Sequence, residues 1–229
     1  MSDDRFVRAV AAIDAANADD PNTILVPGHE PGRAGPEGQE PGPAGPEGQE
    51  PGPAGPEGQE QGVVRPKELA HAELMTAWVT RLRPDASDAL LLAARAHHIR
   101  RWAVPRSSYP DGRAGYLRWR RDLHERHASD VGAILDEAGY DATTIARVQD
   151  IVRKRNLARD PEVQVLEDAL CLVFIETQFA ELAAKLDRPK MVDVVRKTLK
   201  KMSAQGQAMA LSLELPADDR ALIEEATRG

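Results

Sequence analysis

The chain has little of what marks several large protein classes. A single cysteine, Cys171, stands among its 229 residues, which excludes an intramolecular disulfide framework and any paired-cysteine metal or redox motif. Aromatic residues make up only 4%. A core drawn from the 41% hydrophobic fraction must therefore rely on Leu, Ala, Val and Ile, which suits packed helices better than a β-sandwich. The longest apolar run, Ala169 to Ile175, falls far short of the roughly 20 residues needed to cross a bilayer. The first residues, Met1-Ser2-Asp3-Asp4, are acidic and carry no apolar signal core. The expected setting is cytoplasmic, with no membrane partner. No phosphate-binding glycine loop is present.

A formal net charge of -7 argues against a general polyanion binder, but the charge is uneven. Between Arg95 and Arg121 there are eight arginines and one acid, Asp111. Trp102, Tyr109, Tyr116 and Trp119 are interleaved with them. Arginines mixed with aromatics can hold RNA phosphates and stack bases.

Composition also shifts sharply near the N-terminus. Glu30 to Gln39 reads EPGRAGPEGQ, and EPGPAGPEGQ follows twice, ending at Gln59. The glycine spacing breaks the strict period of three that a collagen helix requires. Without large apolar residues the segment cannot offset the entropy cost of ordering. The expected organisation is a first helix over 1–18, a disordered linker over 19–65 and a helical domain over 66–229. Deleting Glu30 to Gln59 is expected to leave the unfolding midpoint nearly unchanged.

The rest of the chain predicts an all-α fold, a single helical bundle. Phe6, Val10 and Ile13 recur at helical spacing, ending near Ala18. Pro66 opens a second helix that stops before Pro84. Asp85 or Ser87 caps a third that runs through LLLAARAHHIRRW to Trp102. After a loop over Ala103 to Arg113, a long helix spans about Ala114 to Ala138, closed by Gly139. Thr143 or Thr144 starts another, whose last turn carries Arg153, Lys154 and Arg155. Asp160-Pro161-Glu162 starts a helix reaching about Leu186. Met191 to Met202 and Pro216 to Thr227 predict two more. Leu211, Leu213 and Leu215 alternate too briefly to imply a sheet.

Several polar residues fall where apolar ones belong. At 100° per residue, Arg120, His124 and His127 lie within the arc of Tyr116, Leu117, Leu123, Val131, Ile134, Leu135 and Ala138. A buried arginine beside two histidines is costly unless paired. His97 and His98 stand together on a helix that is apolar on nearly every side. Asp168 aligns with Leu172, Ile175 and Phe179, and Glu167 with Cys171 and Phe174. Each has a plainer reading: a satisfied core histidine, a structural network, or a carboxylate complementing a helix N-terminus.

In order, His71, the pair His97-His98 and Asp168 fall on three separate helices. That order resembles the HD phosphohydrolase superfamily, in which a histidine, an adjacent His-Asp pair and a later aspartate converge on a divalent metal inside a helical bundle. In this chain the pair reads His-His. The resemblance implies a metal-activated water as nucleophile and arginines on the phosphate.

A second resemblance covers nearly the whole chain outside the repeat. AIDAANADDPN, LAARAHHIRRW through VPRSSYPDGRAGYLRWRRDL, RDPEVQVLEDALCLVFIE and VRKTLKKMSAQG resemble domain-of-unknown-function family 4202 of bacteria and fungi. His98, Arg101, Pro105, Arg106, Tyr109, Pro110, Arg113, Tyr116 and Trp119 belong by this resemblance to its central block. Glu167 and Asp168 belong to its second. His71 stands where the family is expected to carry tyrosine, which makes it a weak ligand. Some relatives carry a glutamyl-tRNA synthetase label, and Lys201-Met202-Ser203 matches the start of the KMSKS signature, but Ala204-Gln205 departs from it and no HIGH motif is present.

The expectation is thus an HD-like bundle with a polar pocket acting as a metal-dependent phosphohydrolase on a nucleotide or other small phosphorylated ligand. His98 and Asp168, with His97 and His124, would hold a divalent metal. Glu167 and His127 would be the catalytic pair. Arg101, Arg106, Tyr109, Arg113 and Arg120 would bind substrate, with Arg101, Arg106 and Arg113 converging at one loop. The alternatives are a non-catalytic RNA- or phosphate-binding module on the Arg95–Arg121 segment, and a helical oxygenase, since histidines and carboxylates also hold iron.

Overall fold

The computed structural model describes residues 2–26 and 63–228. The decapeptide repeat, and with it most of the expected linker, lies outside the described residues. The described chain is mostly helical, and none of its helices is long and apolar enough to cross a membrane.

Helix α1 (Ser2–Ala18) is followed by a short strand, β1 (Thr23–Val26), which pairs antiparallel with β2 (Val63–Pro66). The register sets Val26 opposite Val63, so the described residues on either side of 27–62 lie next to each other. Asp20 fastens the base of this ribbon. Its carboxylate accepts from the backbone N–H of Asn22 at 2.9 Å and of Glu68 at 3.0 Å. These strands fall partly within 19–65, which the sequence by itself predicts to be a linker throughout. Four-residue strands are too short to show a period, and their pairing spans a long separation that local patterns cannot reveal.

Helix α2 (Lys67–Leu82) leads directly out of the ribbon, and α3 (Asp88–Ala96) follows. Ser87 caps α3, its hydroxyl accepting the Leu90 N–H. Expected to reach Trp102, α3 instead ends at Ala96, with His97 as its C-cap. Residues 97–100 form turns in which Arg100 adopts a left-handed conformation (φ 49°), and a 3-10 turn covers Arg101–Ala103. Non-glycine residues adopt this conformation at a cost, and the surroundings must hold them there.

Helix α4 (Gly112–Glu137) packs with α5 (Ala142–Val152). Asp141, rather than Thr143 or Thr144, caps α5 by accepting the Thr144 N–H at 2.9 Å. Helix α6 (Pro161–Thr177) starts at the cap Asp160, then breaks before α7 (Phe179–Lys185). Helices α8 (Arg188–Leu199), α9 (Ala204–Ser212) and α10 (Ala217–Thr227) complete the chain. No helix was expected at α9.

The centre is built from α3 and α6. Leu90, Leu92, Ala93, Ala94 and Ala96 of α3 are fully buried, as are Val163, Leu166, Ala169, Leu172 and Val173 of α6. Helix α2 packs against both, α5 lies against α3, and α9 lies against α6. Apolar burial on this scale is the main favourable contribution to folding. Tyr116 and Leu117, assigned by periodicity to the inner arc of α4, are 44% and 52% exposed. They lie near the N-terminal end of α4, next to the loop that follows the 3-10 turns.

Candidate functional site

Three histidines meet where the end of α3 approaches the first turn of α2. His71, His97 and His98 each offer a ring nitrogen, and these atoms all lie within 4.8 Å of one another. The rings of His71 and His98 are stacked with centroids 4.1 Å apart, and those of His97 and His98 are 4.4 Å apart. Adjacent residues of a regular helix point about 100° apart. Here, in the turns at residues 97–100, the two neighbouring rings stack and both offer a nitrogen to one point.

Glu68 belongs to the same cluster. It is three residues before His71 on α2, one helical turn away. Its carboxylate Oε2 lies 3.3 Å from Nδ1 of His98. On the other edge of that ring, the Arg101 guanidinium lies 3.1 Å from Nε2. A guanidinium can only donate, so Nε2 accepts and the ring proton sits on Nδ1, facing Glu68. Burial lifts the Glu68 carboxyl to about 7, against the opposing pull of Arg101. Burial pushes His71 and His127 down to about 3, and holds His97 and His98 well below the usual imidazole range. All four rings are therefore neutral near pH 7, the form that ligates a metal.

His127 of α4 extends the cluster, its ring centroid 6.1 Å from that of His98. Its Nδ1–H donates to the Ile99 carbonyl at 2.7 Å, so Nε2 carries a lone pair. No described residue meets that atom, nor Nε2 of His71, nor either ring nitrogen of His97. Buried polar atoms normally find a partner. These are three rings, His71, His97 and His127, each able to offer one nitrogen lone pair, and with His98 they have the chemistry of a divalent transition-metal site.

A cavity of about 330 Å³ opens beside the cluster, and His97, His98 and His127 form part of its wall. Arg101, Arg120, Lys154 and Lys201 also line it, against a single carboxylate, Glu167. Lys154 is buried and held in a left-handed conformation (φ 58°), with Nζ donating to Glu167 at 2.5 Å. Lys201 lies 3.9 Å from the other Glu167 oxygen. Burial alone would raise the Glu167 carboxyl, but Lys154 brings it below its ordinary value. Arg120 has no acidic partner among the described residues and sits 5.9 Å from the Tyr116 ring. Arg101 stacks on Trp119 at 5.0 Å, and the indole N–H is fixed by the Val104 carbonyl. His124 reaches the cavity too.

The structure thus gathers His97, His98, His124, His127, Arg101, Arg120 and Glu167 at one place. It does not bring Asp168 there. Asp168 Oδ1 accepts from the Ser203 N–H at 2.8 Å and from the Gln164 amide at 2.9 Å, and Oδ2 accepts from the Ser203 hydroxyl at 2.5 Å. Ser203 in turn caps α9. Gly206 permits this seat, because a Cβ there would come 2.7 Å from the Asp168 carboxyl carbon. The expectation that His98 and Asp168 share a ligand is therefore corrected: Asp168 secures the start of α9.

The expected convergence of arginines is corrected as well. Arg106 donates to the Tyr109 and Pro110 carbonyls of its own loop, at 2.9 and 2.8 Å. Tyr109 donates to Asp122 at 3.1 Å, and Arg113 is exposed outside the cavity. Arg95 makes a two-pronged pair with Asp14 of α1, at 2.5 and 2.7 Å. The basic segment is thereby divided among separate partners. His71 and Glu68 were not in the expected ligand set. The Glu68-x-x-His71 spacing was the available signal, since i and i+3 share a helix face, but Glu68 also fits an ordinary first-turn acid.

A family model described as "Domain of unknown function (DUF4202)" matches residues 48–223. The chain belongs to the DUF4202 family. The match takes in the whole of the site just described. It begins within the repeat and leaves out the AIDAANADDPN segment. No curated protein and no solved structure matches this DUF4202 chain significantly.

Proposed function

We propose that this DUF4202 protein is a metal-dependent hydrolase of a small phosphorylated molecule. The observation that carries the reading is the abutment of a buried histidine cluster on a cavity whose walls hold four cations and one carboxylate. His71, His97 and His98 would hold a divalent ion, with Glu68 or His127 beside them. Such an ion supplies Lewis acidity and a water-derived nucleophile near neutral pH. Arg101 and Arg120 present planar guanidinium groups suited to two-pronged phosphate contacts. Lys154 and Lys201 add positive charge, and Glu167 holds Lys154 in place. With its oxygens committed to two lysines, Glu167 is poorly suited to be the base. Glu68, whose carboxyl burial lifts to about 7, suits that role better near neutral pH, while His127, held near 3, would only accept a hydrogen bond through Nε2. The ligand set departs from the HD pattern in using His71 and a His-His pair without Asp168, so the likeness to that superfamily rests on residue order and helical surroundings.

Native protein purified without chelators should contain about one transition-metal ion per chain by mass spectrometry, and it should hydrolyse members of a phosphomonoester and nucleotide panel. Absence of bound metal, with no turnover after addition of Mn, Co, Zn, Ni or Fe, would sink the proposal. Resident iron with oxygen-dependent turnover and no phosphate release would favour the oxygenase chemistry instead.

A further inference from the structure

Part of the cavity lining has a different character. Leu170 and Phe174 of α6, Leu182 of α7 and Val194 of α8 line it. Each is only half-buried, and three of the four also pack on the core. Two polar side chains share this wall. Thr198 has its hydroxyl committed to the Val194 carbonyl at 2.9 Å, and Gln178 is exposed at the junction of α6 and α7. The lining thus combines positive charge with an apolar stretch from α6, α7 and α8, in which the Gln178 amide is the side-chain group left free to hydrogen-bond among these residues.

That division decides what fits. A sugar phosphate would press its hydroxyls against Leu170, Phe174, Leu182 and Val194, where they would lose water and gain no partner. An apolar or aromatic group attached to the phosphate would instead cover surface that is otherwise wet. A volume near 330 Å³ lies at the small end of small-molecule sites, so the group must be compact. We infer that the ligand is a small organic phosphate whose other end is apolar or aromatic, with the anion toward Arg101 and Arg120 and the apolar group against Phe174, Leu182 and Val194. This rests on the anion-binding part of the proposed function, and it names the substrate class.

The test uses two phosphonates, which share the anionic head and resist hydrolysis. Phenylphosphonate and 2,3-dihydroxypropylphosphonate are titrated into the full-length protein by calorimetry. Phenylphosphonate should bind more tightly by about tenfold or more, the scale expected for burying a ring in place of a hydroxylated chain. In Val194→Asn the preference should shrink while the affinity for the dihydroxypropyl compound holds. Leu182→Asn serves as a second variant, on a separate helix, and circular dichroism confirms that each variant is folded. Equal affinities, or tighter binding of the hydroxylated compound, would overturn the substrate class and leave the anion site standing. Binding of neither phosphonate would overturn both the class and the anion site on which it rests. A preference unchanged in both variants would also overturn the inference, because the apolar wall would then not be its source.

Discussion

Arg101 donates to Nε2 of His98 across 3.1 Å, while Glu68 stands 3.3 Å from the opposite nitrogen of the same ring. The lone pair that His98 would offer a metal is thus engaged by a cation. Metal binding through that nitrogen requires Arg101 to turn away, toward the cavity that it also lines. Arg101→Ala should therefore tighten Zn or Co binding, by about tenfold if the lost contact is an ordinary charge-assisted hydrogen bond. The same variant should weaken phosphonate binding. Competition against a chromogenic chelator measures the first effect and calorimetry the second. Unchanged metal affinity would show that the arginine does not compete for His98.

His71 and His124 should behave differently. His71 is within the cluster whose ligand atoms lie together, whereas His124 reaches only the cavity. His71→Ala should lose at least about tenfold in metal affinity, as expected on deleting a ligand. His124→Ala should retain the metal. Metal content after gel filtration distinguishes them, and equal retention in both variants would remove His71 from the site.

Asp168 tests the boundary between fold and chemistry. Its oxygens hold Ser203 and Gln164 at the start of α9. Asp168→Asn places an amide against donors and should cost about 2 kcal/mol of stability. Gly206→Ala should destabilise as well, because the new Cβ meets the Asp168 side chain. Both variants should keep their metal. Chemical denaturation gives the stability change, and loss of metal from a folded Asp168→Asn would return that residue to the ligand set.

The pH dependence of stability follows from the buried rings. Five histidines have pKa values held down chiefly by burial, His71 and His127 to about 3 and His124 to about 4. An unfolded imidazole takes a proton near 6.5. Each depressed histidine therefore leaves stability intact above pH 6.5 and removes it as pH falls toward its folded value. For a fully buried ring the slope is about 1.4 kcal/mol per pH unit. Glu68 acts in the opposite sense: its carboxyl, raised to about 7, lets stability decline as pH rises from about 4.5 to 7. The histidines outnumber it, so the thermal midpoint of metal-free protein should drop steeply between pH 6.5 and 4. A flat profile there would contradict neutral buried rings.

Arg106 should matter to its loop and little to the ligand. Both of its bonds run to the carbonyls of Tyr109 and Pro110. Arg106→Ala should lower stability by about 1 kcal/mol and leave phosphonate affinity within experimental error. A large affinity loss in a folded variant would put Arg106 back at the binding site.

Much of the helical layout was legible in the residue order. Apolar residues three and four apart marked α2, α4 and α6, and Ser87 and Asp160 announced helix starts that the structure contains. The same spacing put Arg120, His124 and His127 on the inner side of α4, where they meet the cavity. Periodicity works for these because burial of a helix face is a local property, repeated at every turn. It reports which side of a helix is covered but not what covers it. Asp168 and Glu167 both begin the inner face of α6, yet one holds Ser203, the cap of α9, and the other pairs with Lys154. That difference depends on where α9 and the end of α5 come to rest. His71 joins His97 and His98 where α3 gives way to turns at residues 97–100 and α2 packs alongside. Where that junction comes to rest is selected by the packing around it. The sequence therefore determined the helices and their buried faces, whereas the tertiary structure alone decided which buried polar groups became partners.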